Sequence, residues 1–207
     1  YATKAGSAWS IQLVKTNCLW GASSRHVSIN IDTNGRPHIC FDGSVGGTSA
    51  VYHAYSPAGT SWTFEKIDGA NGSGYGLDST FDNSGKLHVS YIGGGEASVY
   101  YVVKSGGTWS SPSMVTNFGS ETAIAVDPQG SPHIAFVATS EPGGVRYASK
   151  TNTSWSVSTV DTNLAVTGYG SISVAVDLAG KPHISWLDWQ NVDVRVRYAY
   201  WNGTSWQ

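Results

Sequence analysis

Apolar and polar residues alternate with a period of two in short runs along the whole chain, and no stretch carries a helical period. Ser173–Val176 predicts one half-buried strand, stopped by Asp177, and His183–Trp186 predicts a second. Arg195–Ala199 predicts a third and Trp155–Val160 a fourth. These are strand types a, b, c and d. Between a and b lies a turn in which glycine supplies a positive φ and aspartate bonds to backbone amides two residues on. The pattern predicts an all-β fold.

The turn recurs. Asp32-Thr-Asn-Gly35-Arg-Pro37-His38, Asp82-Asn-Ser-Gly85-Lys-Leu87-His88, Asp127-Pro-Gln-Gly130-Ser-Pro132-His133 and Asp177-Leu-Ala-Gly180-Lys-Pro182-His183 share the form Asp-x-x-Gly-x-Pro/Leu-His. Each is followed by a β-branched residue, a small one and an aromatic: Phe41, Tyr91, Phe136 or Trp186. Tyr1, Tyr101, Tyr147 and Tyr198 each stand eight residues before a tryptophan (Trp9, Trp109, Trp155, Trp206), while His53 stands nine before Trp62. The tryptophans are spaced by 53, 47, 46 and 51 residues. Four short antiparallel strands at this period are the signature of a β-propeller blade. The units are expected at 20–68, 69–117, 118–163 and 164–207, after a half blade at 1–19. That half blade supplies an extra c strand and an extra d strand, and Trp9–Val14 is placed to complete the last unit. Three arrangements follow: a four-bladed ring with a spare strand, part of a larger propeller, or a subunit completed by a neighbour through an unpaired blade edge.

On these motifs the chain resembles the tandem repeats of secreted bacterial and fungal β-propellers, including propeller lectins. The resemblance covers nearly the whole chain and implies a fold, with a glycan or glycoprotein ligand as the expected partner. Sialidase-type Asp boxes occupy a similar turn, but their Ser-x-Asp-x-Gly-x-x-Trp pattern differs from the one here.

Composition narrows the function. Lys and Arg number 12 against 14 Asp and Glu, a net charge of −2 with no basic run, which argues against nucleic-acid binding. No apolar run approaches the roughly 20 residues of a membrane span, so no membrane insertion is expected. Few charges, many small polar residues and nine tryptophans suit a secreted or cell-surface protein. Without an initiator Met or signal peptide, the chain reads as mature or trimmed. Cys18 and Cys40 either pair or serve as small apolar residues. Asn71, Asn152 and Asn202 stand in glycosylation sequons.

The turn histidines and aspartates fall one per unit, which spreads them out where a metal would gather three or four ligands, so they are expected to be scaffold. No nucleophile elbow, zinc motif or phosphate loop appears, and no catalytic set, metal or cofactor is expected. Ligands of propellers usually bind over the d–a and b–c loops. Each d–a loop holds an aromatic followed by glycine, at Trp20, Tyr75, Phe118 and Tyr169. These are either packing residues or platforms for the apolar faces of sugars. Their polar companions include Arg25, His26, Asp78 and Glu121. The outlying b–c loop is Leu187–Asp193, where Trp189 stands among Asp188, Gln190 and Asn191. Trp189, Asp188 and Asn191 are the best single candidate cluster, as a sugar site or an interface anchor. The expected function is therefore a non-enzymatic, lectin-like carbohydrate-binding module. Its alternatives are a protein-interaction or self-assembling subunit, and a glycoside hydrolase or polysaccharide lyase working through paired loop carboxylates.

Overall fold

The computed structural model describes residues 1–16, 18–19, 26–45, 47–59, 61–68, 75–93, 97–138, 143–162, 172–190 and 193–207, with the backbone alone at 18–19, 48–49, 75 and 189–190. The described residues form β-strands joined by turns, every pairing antiparallel, with no helix among them.

A hairpin of β1 (Ala2–Ala5) and β2 (Ala8–Ile11) comes first. Unit 1 contains β3 (Cys18–Leu19), β4 (Val27–Ile31), β5 (Pro37–Val45), β6 (Thr48–Tyr55) and β7 (Thr63–Asp68). Unit 2 contains β8 (Tyr75–Phe81), β9 (Leu87–Gly93), β10 (Ser98–Ser105), β11 (Thr108–Trp109) and β12 (Ser113–Thr116). Unit 3 contains β13 (Thr122–Val126), β14 (Pro132–Ala138), β15 (Gly144–Thr151) and β16 (Ser154–Asp161). Unit 4 contains β17 (Ile172–Val176), β18 (Pro182–Gln190) and β19 (Asp193–Tyr200). Each unit is a meander in a–b–c(–d) order.

The a–b turns form as their residues dictate. Asp32 Oδ1 accepts the backbone N–H of Asn34 at 2.9 Å and of Arg36 at 2.8 Å, and Gly35 takes φ +76°. The same bonds run from Asp82 to Ser84 and Lys86, from Asp127 to Gln129 and Ser131, and from Asp177 to Ala179 and Lys181.

The inner strands contact in series, β4 with β8, β8 with β13 and β13 with β17. Three apolar cores lie at the junctions between units. Cys40, Val51 and Ile67 of unit 1 meet Leu77, Leu87 and Val89 of unit 2. Ile92, Val99 and Val115 meet Ile124, Ile134 and Phe136, while Ala135, Val137 and Val145 meet Ile184, Trp186 and Ala199. Burying these side chains at about 25 cal/mol per Å² is what joins the sheets.

One open alternative is decided here and one expectation changes. Cys40 is a free, fully buried thiol, with its pKa pushed up to about 12 by burial, so it packs as a small apolar residue. Leu187–Asp193 is mostly not a loop. The β18–β19 hairpin continues through it, pairing Asp188 with Arg195, Trp189 with Val194 and Gln190 with Asp193. Alternation along that longer strand turns Asp188 into the protein, where it is fully buried.

Candidate functional site

The turn end of the molecule carries a relay built from recurring residues. In unit 2 His88 Nε2 lies 3.3 Å from Asp82 Oδ2, and Tyr101 donates its hydroxyl proton to His88 Nδ1 at 2.8 Å. His133 stands between Asp127 and Tyr147 in the same way, and His183 between Asp177 and Tyr198. Burial works against the Asp82 and Asp127 carboxylates, but backbone N–H groups and the imidazole outweigh it and hold both below the usual range. Burial likewise lowers His88 and His133, which keeps them neutral. Two hydrogens fill two links, so the relay is satisfied. Three of the repeat's tyrosines also meet the tryptophan of the next unit edge-on, Tyr1 with Trp62 at 5.4 Å, Tyr101 with Trp155 at 5.2 Å and Tyr147 with Trp206 at 5.2 Å, whereas Tyr198 stacks on Tyr200. The tyrosine and tryptophan eight residues apart in the sequence thus do not meet each other; each tyrosine of these three pairs contacts the tryptophan one repeat further on.

Unit 1 departs from this rule. His53 occupies the tyrosine position and places Nε2 2.9 Å from His38 Nδ1. The far nitrogen of each ring faces a carboxylate, with Asp32 Oδ2 3.6 Å from His38 and Glu65 Oε2 3.4 Å from His53. Glu65 also accepts Trp109 Nε1–H at 2.9 Å and pairs with Lys104. A cavity of about 440 Å³ between units 1 and 2 opens onto the row, lined by both histidines, Tyr55, Glu65, Phe81 and Lys104. Nothing in the turn motif announced this cluster; its signal was the odd histidine at a tyrosine position.

The opposite end, carrying the d–a and b–c connections, holds a second polar cluster. The positions six residues before the first three turn aspartates are His26, Gly76 and Glu121, and the fold brings them together. Gly76 donates its backbone N–H to His26 Nδ1 at 3.1 Å, and His26 Nε2 lies 3.2 Å from Glu121 Oε2. The hydrogen bond to Glu121 raises the His26 pKa against the effect of burial. Gly76 fits because its φ is +56° and a Cβ there would meet Ser120 O at 2.6 Å. Two residues on, Asp78 accepts Ser28 Oγ–H at 3.0 Å and the backbone N–H of Ser79 and Ile124 at 2.8 and 3.1 Å. Burial raises the Asp78 pKa despite these bonds. A carboxyl raised by burial beside a histidine–glutamate pair is a combination that can hold polar groups of a ligand or move protons. Among the described residues, no three His, Cys, Asp or Glu stand together at metal-ligand spacing.

The candidate binding residues divide unevenly. Trp20, Tyr169 and Asn191 lie outside the described residues, as does Arg25, and the backbones of Tyr75 and Trp189 are placed on β8 and β18. Phe118 is half-buried with its ring 6.1 Å from that of Phe136, which is a packing contact. Asp188 accepts Arg197 Nε–H at 2.6 Å. Arg197 also lies 3.8 Å from Asp161, so Asp188 of β18 belongs to a charged group centred on Arg197 of β19.

No family model matches the chain, and no curated protein matches it. Solved structures do. A protein of unknown function from Dyadobacter fermentans superposes with a TM-score of 0.63 at 12% identity, over 97% of this chain and 66% of that one. An ulvan lyase, a polysaccharide lyase, gives 0.60 at 16% identity over 87% and 56%. An endo-arabinase from Bacteroides thetaiotaomicron gives 0.53 at 12% identity over 90% and 76%. The chain thus spans just under two thirds of the first structure's length and little over half of the second's. At these identities the likeness shows the fold, an all-β arrangement of antiparallel sheets whose neighbours are of the β-propeller type.

Proposed function

We propose that the chain is a non-enzymatic carbohydrate-binding module of the β-propeller type, secreted or cell-surface, that takes its glycan at the d–a and b–c end. Its blades run over 20–68, 69–117, 118–163 and 164–207, after a half blade at 1–19. The observation that carries this reading is the meeting of His26, Gly76 and Glu121 beside Asp78, a polar floor at the mouth of the inner strands. In this reading Trp20, Tyr75, Phe118, Tyr169, Trp189 and Asn191 supply the further contacts to the glycan. Aromatic faces would stack on sugar C–H surfaces while short polar groups orient the hydroxyls. The structural neighbours include one named as a polysaccharide lyase and one named as an endo-arabinase, which supports a glycan ligand in general.

A second reading, a glycoside hydrolase or polysaccharide lyase, draws on the same cluster. Glu121 beside His26 and the raised Asp78 are two carboxyls in different environments, which is one requirement of acid–base cleavage.

A glycan array with the wild type and Trp189→Ala tests the first reading. Binding to one glycan class, reduced at least tenfold in the variant, is the expected result, and no binding at high protein concentration overturns it. The polymer that binds is then incubated with the wild type and Glu121→Gln. Intact polymer is expected with both, whereas fragments released by the wild type and not by the variant would establish the enzyme.

A further inference from the structure

Each unit turns a front to the unit that follows it and a rear to the one before, and the same repeat positions serve at every junction. On the front, a valine stands two residues before the tyrosine position. Val51, Val99 and Val145 are buried against the following unit, whereas Val196 of unit 4 is 79% exposed. On the rear, Leu77 of β8 is buried against unit 1, whereas Val27 of β4, equally far from its own turn aspartate, is 69% exposed. Rings follow the same rule. Tyr1 meets Trp62, His53 meets Trp109 edge-on at 5.5 Å, Tyr101 meets Trp155 and Tyr147 meets Trp206. Among the described residues this series leaves two members over, Tyr198 with no tryptophan ahead of it and Trp9 with no tyrosine behind it. Both are exposed, and so are the apolar residues that share their strand faces, Val194 and Val196 of β19 and Ile11 of β2.

We propose that the front of unit 4 docks on the rear of a second copy of this chain, with Tyr198 of one copy meeting Trp9 of the other. The occupant is a second copy because the two uncovered faces are the two halves of one junction, which the chain already builds three times within itself. Trp9 is presented on a held surface. Tyr1 packs on Trp62, Gln12 Nε2–H bonds to Gly59 O at 2.7 Å, and Trp62 Nε1–H bonds to Gln12 Oε1 at 3.2 Å, which together fasten the first hairpin to unit 1. Contiguous exposed apolar rows of this kind mark contact surfaces, and an edge-on aromatic pair adds to the area they bury. The two faces differ, so the contact is head-to-tail. Each copy in a pair keeps one face for a further copy, and growth continues until the rotation closes a ring. This contact needs no glycan and does not depend on the carbohydrate reading.

Sedimentation velocity of the whole chain over a wide range of concentration tests the assignment, beside Val196→Glu and Trp9→Glu. Both side chains are exposed in the single chain, so both variants are expected to fold. The wild type should associate as its concentration rises, and each variant alone should do so at least tenfold more weakly. An equal mixture of the two variants should recover a one-to-one complex, since the Trp9 variant keeps an intact front and the Val196 variant an intact rear. Amide exchange in β2 and β19, fast in the separate chain, should slow in both strands together as the wild type associates. A wild type that stays monomeric, association that survives either substitution, or a mixture that stays monomeric overturns the proposal.

Discussion

At position 53 a histidine stands where units 2 to 4 carry Tyr101, Tyr147 and Tyr198, and the exchange alters how unit 1 responds to acid. His53 is fully buried beside Lys104 and His38, with Glu65 at its Nδ1, and its pKa is held down to about 4 against an ordinary 6.5, chiefly by burial. Between these values the unfolded chain binds more protons than the folded one. His53 therefore contributes its full share of stability above pH 6.5 and loses it as the pH falls towards 4. At 1.36 kcal/mol per unit the loss is on the order of 3 kcal/mol. Denaturant titrations at pH 7.5 and pH 4 should show the wild type losing about that much more than His53→Tyr, since the other titrating groups are common to both. Equal losses would mean that the imidazole is hydrated in the folded chain.

At the scale of strands and turns, local chemistry and distant approach separate cleanly. Gly35 and Gly76 both have positive φ, at +76° and +56°, but a Cβ on Gly35 meets open space while one on Gly76 meets Ser120 O at 2.6 Å. Gly35→Ala is expected to cost about 1–2 kcal/mol, the backbone penalty alone. Gly76→Ala is expected to cost at least about 2 kcal/mol more, since backbone must also move. Denaturation midpoints of the two variants measure the difference. The same division explains what could be read from the sequence. The Asp-x-x-Gly-x-Pro-His turn was legible because its bonds close within four residues. The tyrosine–tryptophan spacing was legible as a rhythm, but its partner across the junction depends on how sheets stack. Asp188 read as a loop residue because its polar neighbours hid the continuing hairpin, and only pairing with Arg195 shows it buried. Likewise His26, Gly76 and Glu121 share a repeat position yet differ in kind, so their meeting appears only in three dimensions.

Across the whole molecule each apolar core is shared by two adjacent units, so stability is set largely by neighbour-to-neighbour junctions. β9 and β14 lie between two such junctions, and all their residues are buried. The hairpin of β1 and β2 is exposed throughout, and β19 nearly so. Amide hydrogen exchange should therefore be slowest in β9 and β14 and fastest in β1, β2 and β19. Among the described residues, one link breaks the neighbour rule. His26 precedes β4 of unit 1, while Glu121 precedes β13 of unit 3, and their bond passes the end of β8 at Gly76. If that bond couples the units, His26→Ala should speed exchange in β4 and β13 together while β17 keeps its wild-type rate. Faster exchange confined to β4 would show instead that the cluster serves the ligand end alone and leaves the junctions to hold the fold.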